Sequence, residues 1–384
     1  MPQNQNSPIK IVFTGGGTAG HIFPVISIIR QIKEVTRPGE YQFFYIGPKD
    51  DFVKNILAGE QVTIKTVLAG KMRRYLGPLA FLQNIVDIFI FVPLGFFQAL
   101  FYNFLISPDI IFSKGGYGSL PAVLSGWLLL IPVFLHESDI IPGLANRILS
   151  RFSSEIFTAW PVQRVRGFPL DKMIAVGNPI RPELLTGNRE MAKDAFKLAG
   201  GKPLLLTIGG SQGSQRINDI LLLVLPELLK SFELIHQVGN KNVKQIEAEA
   251  KIVTPPELQK FYHAVGFLSE EDLAHVLNAV DFVISRAGAG SIFEISAVGK
   301  PSILIPLPES AQQHQLKNAY AYAESGAALV IEESNFTSHF FLERIRYLFS
   351  NPQKLKEMSQ AAKNFSKPNA SKVIAEYLIN YLSI

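Results

Sequence analysis

The sequence predicts an α/β protein made of two doubly wound parallel sheets facing each other across a cleft. Three observations carry this. Short, continuous apolar runs alternate with helical stretches from end to end, as in parallel strands covered on both faces. A glycine-rich turn of similar spelling follows the first strand of each half: Thr14-Gly-Gly-Gly-Thr-Ala-Gly20 and Thr207-Ile-Gly-Gly-Ser-Gln-Gly213. The length of 384 residues fits two domains better than one.

The first series of strands reads Ile9–Thr14, Tyr41–Ile46, Ile110–Ser113, Val133–His136 and Ile174–Val176, with a helix over Ile22–Lys33 after the first strand. The second series reads Leu204–Ile208, Leu234–Val238, Ala264–Gly266, Phe282–Ser285 and Ser302–Ile305. The GNPIRP stretch at Gly177–Pro182 can continue neither a helix nor a strand core and marks the boundary. From Asn351 onward only helices are expected. Ligands in such sheets bind beyond the carboxyl ends of the strands, so the loops there are the places to look for chemistry.

Composition narrows the function. Hydrophobic residues make up 47% and charged residues 18%, which excludes a disordered chain. There are no cysteines, so disulfides, thiolate metal sites and cysteine catalysis are excluded. The net charge of +5 and a pI near 9.1 suit anionic partners such as nucleotides, phosphates or membrane surfaces, and make no case for nucleic acid. No signal peptide is visible, which predicts a cytoplasmic protein. The stretch Ile85–Ile106 is almost wholly apolar and long enough to span a bilayer. Asp87, Pro93, Gly95, Gln98 and Asn103 interrupt it. Pro93 lacks an N–H and predicts two short helices, buried or lying on a membrane surface, in place of a span.

Gly15, Gly17 and Gly20 satisfy G-x-G-x-x-G between a strand and a helix, where backbone amides and a helix N-terminus favour a phosphate. A dinucleotide site also wants a carboxylate at the end of the second strand. That strand ends Ile46-Gly47-Pro48, which speaks against a dehydrogenase and leaves a ligand-free turn as the bland reading. His21 follows the loop. It is a candidate general base with a pKa lowered by the helix N-terminus, or simply a local hydrogen-bond partner.

Gly209 to Gly213 form a second phosphate-type loop, with the hydroxyl of Ser211 beside free amides. Arg286-Ala-Gly-Ala-Gly-Ser291 is a third. Glu294, one turn further on, can accept from both hydroxyls of a ribose. Ser291-Ile-Phe-Glu294 also spells a capping box, and the residues alone do not choose. Gly115-Gly116-Tyr117-Gly118 and His136-Glu137 each close a strand at its functional end, and Arg181 falls at the domain junction. No metal-binding motif is present, so no metal or other cofactor is expected. No serine elbow of the hydrolase kind stands before a plausible triad.

Taken together and in order, seven motifs resemble the MurG family, the UDP-N-acetylglucosamine–N-acetylmuramyl-(pentapeptide) pyrophosphoryl-undecaprenol N-acetylglucosamine transferases. They are GGTAGHIFP at 16–24, SKGGYGSLPAVLSG at 113–126, HES at 136–138, GNPIR at 177–181, GGSQGS at 209–214, RAGAGSIFE at 286–294 and HQLKNA at 314–319. The resemblance implies the GT-B architecture: two Rossmann-like domains facing a cleft, over residues 1–178 and 179–365. A C-terminal helix over 366–384 returns to the first domain. It implies inverting transfer of GlcNAc from UDP-GlcNAc to the 4-hydroxyl of MurNAc in undecaprenyl-linked lipid I. The product is lipid II for peptidoglycan synthesis, made at the inner face of the cytoplasmic membrane.

By the same resemblance, His21 matches the general base. Thr18, Ala19 and Gly20 lie near the donor sugar and diphosphate, and Tyr117, Glu137 and Asp139 belong to the substrate site. Arg181 and Ser211 bind the donor, and the backbone of Leu268 meets the uracil. Ala289, Gly290, Ser291, Ile292, Phe293 and Glu294 hold phosphate and ribose, with Glu294 on the ribose hydroxyls. An apparent one-residue insertion in PLPESAQQHQ leaves His314 and Gln315 sharing one sugar-nucleotide contact. One departure stands out. Many members have Asn where this chain has Asp139, and a carboxylate near a diphosphate is repulsive.

With no metal motif, the leaving diphosphate is expected to rest on helix N-termini and backbone amides. Lys71, Arg73 and Arg74, just before the apolar stretch, could attract anionic lipid, each worth ~1 kcal/mol. The rival readings are a related lipid glycosyltransferase of the same fold and a nucleotide-sugar 2-epimerase.

Overall fold

The computed structural model describes residues 7–16, 19–70, 78–210 and 213–383. Thr18, Lys71, Arg73, Arg74 and Ser211 therefore lie outside the described residues. The chain divides into two compact units. Met1–Arg181 together with Asn369–Ile384 form the first, and Pro182–Pro368 the second.

The first unit holds strands β1 (Ile9–Thr14), β2 (Tyr41–Gly47), β3 (Thr63–Thr66), β4 (Ile110–Ser113), β5 (Val133–Glu137), β6 (Glu155–Thr158) and β7 (Met173–Ala175). They form one parallel sheet in the order β3-β2-β1-β4-β5-β6-β7. Chain order reverses between β1 and β4, whose last residues, Thr14 and Ser113, lie in register. Open α/β sheets bind ligands at this reversal.

Its core forms because β1 and β4 are apolar on both faces. Ile11, Phe13, Ile110 and Phe112 pack with Ile22, Ile26 and Ile29 of the helix Ala19–Val35. The C-terminal helix Ala370–Leu382 completes this core with Ile374, Ala375 and Leu378. Tyr377 sets its ring edge-on to Phe134 and Phe157. The last helix thus belongs to the first unit through apolar burial.

The second unit repeats the plan with β8 (Leu204–Ile208), β9 (Glu233–Gln237), β10 (Tyr262–Val265), β11 (Phe282–Ser285), β12 (Ser302–Leu304) and β13 (Ala328–Val330). All are parallel, in the order β10-β9-β8-β11-β12-β13. Here the reversal falls between β8 and β11, with Ile208 opposite Ser285. Apolar clusters cover both faces of the sheet.

The structure corrects two expectations. β3, β6 and β13 had no counterpart in the sequence reading. β3 is an edge strand, Thr-Ile-Lys-Thr, with exposed ends, a half-buried middle and no continuous apolar run, and β6 and β13 are only 4 and 3 residues long. Pro93 does not split the apolar stretch. The helix Pro78–Val86 runs through a π-helical segment, Asp87–Phe91, into the helix Val92–Ile106. Pro93 falls in the first turn after the wider π register, where its missing N–H is least costly.

Of the two expected placements, buried or lying on a surface, the structure buries only one side of this stretch. Its inner stripe is Gly95, Ala99, Asn103 and Ile106, spaced to lie on one face. The outer face leaves Phe89, Phe97, Phe101 and Phe104 59–73% exposed.

Candidate active site

In the first unit the loops after β1 and β4 lie side by side at the reversal. His21 stands in the first turn of its helix, partly exposed, with its ring between two glycines. A side chain at Gly16 would begin 3.0 Å from His21 Nδ1, and one at Gly116 would begin 3.2 Å from Nε2. Gly116 and its neighbour Gly115 both take φ +85°, which L side chains rarely adopt. The glycines let two backbones close around the imidazole. Tyr45 Oη pins the first loop by donating to the Gly15 carbonyl at 3.1 Å. Burial, and then the charge of Lys114, depress the His21 pKa from 6.5 to about 4, so the ring is a neutral proton acceptor at physiological pH.

Glu137 ends β5 and is buried. Its carboxylate accepts from Asp139 N at 2.9 Å, Gly143 N at 3.2 Å and Asn146 Nδ2 at 2.8 Å. Asn146 Oδ1 in turn accepts from Gly116 N at 3.2 Å. Glu137 is therefore turned into the fold, where it braces the loop that flanks His21. Burial and then Asp139 raise its pKa. His136 is buried, and its Nε2 donates to the Gly177 carbonyl at 3.0 Å. Tyr117 is partly exposed, its phenol pKa raised by burial and then by Asp50. Arg181 is buried, with its guanidinium 4.3 Å from the centre of the Phe23 ring.

Lys114 was not singled out by the sequence reading, although it lies inside SKGGYG. Its side chain is only 3% exposed. The ammonium donates to Ser138 Oγ at 2.5 Å, and Ser138 Oγ donates to Asn178 Oδ1 at 2.5 Å. Burial lowers its pKa to about 8, against the pull of Glu137 and Asp139.

In the second unit the loops after β8 and β11 again flank the reversal. Gly210 and Gly213 take φ +93° and +77°. Arg286, directly after β11, is buried. It donates to Ser214 Oγ at 2.7 Å and to the Ile305 carbonyl at 3.1 Å, and pairs with Glu333 at 2.5 Å. Gln237 at the end of β9 donates to the Gly210 carbonyl at 3.1 Å and accepts from Leu268 N at 3.2 Å. Arg286 and Gln237 thus fix the phosphate-type loop and the Leu268 backbone from behind. Sequence reading could weigh neither, because their partners are far apart in the chain.

The helix Ala289–Ala297 starts earlier than a capping box requires. Gly288 is its N-cap, at φ −65° and ψ 140°. Ser291 and Glu294 are therefore both inside the helix, and the capping-box reading of the pair is overturned. The N–H groups of Ala289, Gly290 and Ser291 are the ones a helix start leaves for a ligand. Ile292 N already donates to the Gly288 carbonyl at 3.1 Å. The Ile292 and Phe293 side chains are core, and Phe293 meets the ring of Phe365 at 5.3 Å. Gly290, Ser291 and Glu294 are partly exposed along one side.

His314 begins the helix His314–Ala323, just after Gln312 and Gln313, which both take φ +55°. Such left-handed backbone costs ~1–3 kcal/mol per residue and gathers at functional sites. Gln315 Oε1 accepts from Leu307 N at 3.0 Å, and Gln315 N donates to Ser310 Oγ at 3.3 Å.

Both units match domains of one enzyme class. Residues 11–158 match the glycosyltransferase family 28 N-terminal domain and residues 204–374 its C-terminal domain. Full-length relatives narrow this further. A UDP-N-acetylglucosamine–N-acetylmuramyl-(pentapeptide) pyrophosphoryl-undecaprenol N-acetylglucosamine transferase of Clostridium tetani is 35% identical over 370 residues, covering 96% of this chain and 98% of the relative. One from Bacillus thuringiensis is 36% identical, covering 96% and 99%. The chain belongs to this transferase family.

The fold is shared with solved structures. Acinetobacter baumannii MurG superposes with a TM-score of 0.72 at 23% identity, covering 97% of this chain and 100% of that one. A UDP-GlcNAc 2-epimerase from Neisseria meningitidis, bound to UDP-GlcNAc, superposes with a TM-score of 0.67 at 15% identity and the same coverage.

Proposed function

We propose that the protein transfers GlcNAc from UDP-GlcNAc to the MurNAc 4-hydroxyl of lipid I with inversion, giving lipid II, and that His21 is the general base. The observation that carries this reading is the neutral His21 imidazole held between the Gly16 and Gly116 backbones. An attacking sugar hydroxyl must lose its proton as the glycosidic bond forms, and a neutral imidazole can take it. Relatives at 35–37% identity carry the transferase name over most or all of their length. The epimerase likeness rests on fold at 14–15% identity.

The donor falls to the second unit in this reading. Amides of the loop after β8 and of Ala289, Gly290 and Ser291 face the diphosphate, where a helix N-terminus offsets negative charge. Glu294 takes the ribose hydroxyls, the Leu268 backbone meets the uracil, and His314 or Gln315 contacts the sugar nucleotide. Thr18, Ala19, Gly20, Tyr117, Asp139 and Arg181 line the substrate side, and Ser211 assists at the diphosphate. Glu137 acts by bracing Gly116.

The protein sits peripherally on the cytoplasmic face of the membrane. Exposed Phe89, Phe97, Phe101 and Phe104 form an apolar face of the kind that marks a protein or membrane contact. Leu82–Ile106 is long and apolar enough to cross a bilayer, yet its inner stripe is tied down. Asn103 Nδ2 donates to the Ala122 carbonyl at 3.1 Å and to Ser125 Oγ at 2.8 Å, and Gln98 accepts from Leu68 N. Those bonds favour lying on the bilayer over spanning it.

Incubation with UDP-GlcNAc and a soluble lipid I analogue should release UDP and form the disaccharide. His21→Ala should lower kcat by roughly 10²–10⁴ while UDP-GlcNAc still binds. An undiminished kcat in that variant would remove His21 from the mechanism.

A further inference from the structure

We propose that Lys114 is a positioning residue for the transfer: its buried ammonium, offset by the carboxylates of Asp139 and Glu137, sets the charge around His21 and, together with burial, disfavours protonation of the base. This rests on the reading of His21 as the base.

The geometry comes first. A methyl group added at Gly15 would touch His21 Cβ and Lys114 Cβ at 3.4 Å each, so the two side chains leave the backbone on either side of one glycine. Lys114 is buried and fixed through Ser138 to Asn178, and Trp160 Nε1 holds the Ser138 carbonyl at 2.9 Å. A lone buried ammonium is costly to desolvate, so it stays charged only where carboxylates offset it. Glu137 and Asp139 are those carboxylates.

Asp139 then has a physical account. A lysine directly follows β4, and the Asp139 carboxylate offsets its charge. The charged groups that act most on His21 come from two elements: Lys114 after β4, which disfavours the imidazolium, and Asp139 after β5, which favours it. The loop after β1 contributes uncharged Gly15 and Gly16. Lys114 itself faces Glu137 and Asp139, and its charge also lowers the pKa of His136. Without the ammonium, His21 would face Asp139 alone. It would hold a proton at higher pH, and an imidazolium cannot accept another.

The test follows His21 directly and through the rate. Imidazole resonances of the full chain are titrated by NMR, with His21 picked out from the seven histidines by its loss in His21→Ala. In parallel, kcat/KM is measured with UDP-GlcNAc and a soluble lipid I analogue from about pH 4.5 to 9. In Lys114→Met the His21 titration and the acid limb of kcat/KM should both move up by about one unit or more. Lys114→Met/Asp139→Asn, which removes one charge of each sign, should return both toward the wild-type position. Lys114→Arg keeps the charge and should keep the limb low even where its plateau falls.

A Lys114→Met enzyme slowed equally at every pH, with the His21 titration unmoved, would overturn the proposal and leave Lys114 a packing residue. A titration that moves while the rate profile stays put would instead overturn His21 as the base, and with it any catalytic use of Lys114. Thermal melts of each variant separate misfolding from these outcomes. If Lys114→Met fails to fold, the decision passes to the Arg and double variants, and a raised limb in both overturns the proposal.

Discussion

Asn146 couples Glu137 to Gly116. Its Nδ2 donates to the Glu137 carboxylate at 2.8 Å, and its Oδ1 receives the Gly116 N–H at 3.2 Å. The amide thereby fixes the Gly116 backbone, where an added Cβ would lie 3.2 Å from His21 Nε2.

This relation makes Glu137→Gln informative. Oε1 of Glu137 accepts from Asp139 N, and Oε2 accepts from Gly143 N and Asn146 Nδ2. Glutamine must turn its NH₂ toward one of those donors in either orientation. If Asn146 flips to relieve the clash, its own NH₂ then meets Gly116 N–H. One buried donor is left unsatisfied in every arrangement, at about 1–3 kcal/mol. The expected result is a melting temperature several degrees lower, with a fall in kcat. An unchanged melting temperature with a raised KM would make Glu137 a direct substrate contact.

A second prediction concerns acid stability in the second unit. His236 is buried, with Nδ1 3.0 Å from Tyr262 Oη and Nε2 3.1 Å from Asn218 Oδ1. The amide oxygen only accepts, so Nε2 carries the hydrogen and Nδ1 accepts from the phenol. Burial lowers the His236 pKa from 6.5 to about 3. As pH falls below about 6.5 the unfolded chain takes up a proton that the folded chain refuses, so stability drops. The slope approaches ~1.4 kcal/mol per pH unit for this one group. Urea midpoints from pH 7 to 4.5 should fall in the wild type and fall less steeply in His236→Gln, which cannot titrate. Equal slopes would place the acid sensitivity elsewhere.

The exposed apolar face gives a third. Phe97 and Phe101 are 63% and 59% exposed, so Phe97→Glu/Phe101→Glu removes few internal contacts. Binding to vesicles of mixed neutral and anionic lipid should weaken roughly 10- to 100-fold, from lost apolar burial of about 1.5–3 kcal/mol per ring at full depth. The melting temperature should barely move. Alkaline carbonate should release wild-type protein from a membrane pellet, and retention there would argue for a span.

How much of this was readable in advance follows from where the information resides. β1, β4, β8 and β11 announce themselves because each is a short, mostly apolar run that is largely buried. β3 hides because it is a short edge strand, Thr-Ile-Lys-Thr, with no buried residue and no apolar run. The glycine loops were legible as turns. The polar groups that fix them were not, since Lys114 finds Ser138 across 24 residues and Arg286 finds Ser214 across 72. Pro93 and the Ser291–Glu294 pair show the limit of local rules: Pro93 and Ser291 each lie two residues past the point where a helix changes register or begins, and neither point is marked by its own residue type.

The last prediction isolates Glu294. Gly288 caps the helix Ala289–Ala297 and no side chain serves as the cap, so Glu294→Gln leaves the helix start untouched. Glutamine keeps the length and partial exposure of the side chain but loses its charge. A neutral amide cannot accept from two ribose hydroxyls as a carboxylate does. Hydrogen bonds to a charged group are worth about 1.5–3 kcal/mol, so loss of part of that should weaken UDP-GlcNAc binding roughly 5- to 100-fold. Calorimetric titration should show this with no shift in melting temperature. A 2′-deoxyribose donor should cost the wild type more than the variant, because the variant has already lost the partner of that hydroxyl. If the two penalties are equal, the carboxylate does not meet the ribose. If binding is unchanged while the second unit melts earlier, Glu294 is a structural residue of its helix and the donor is held without it.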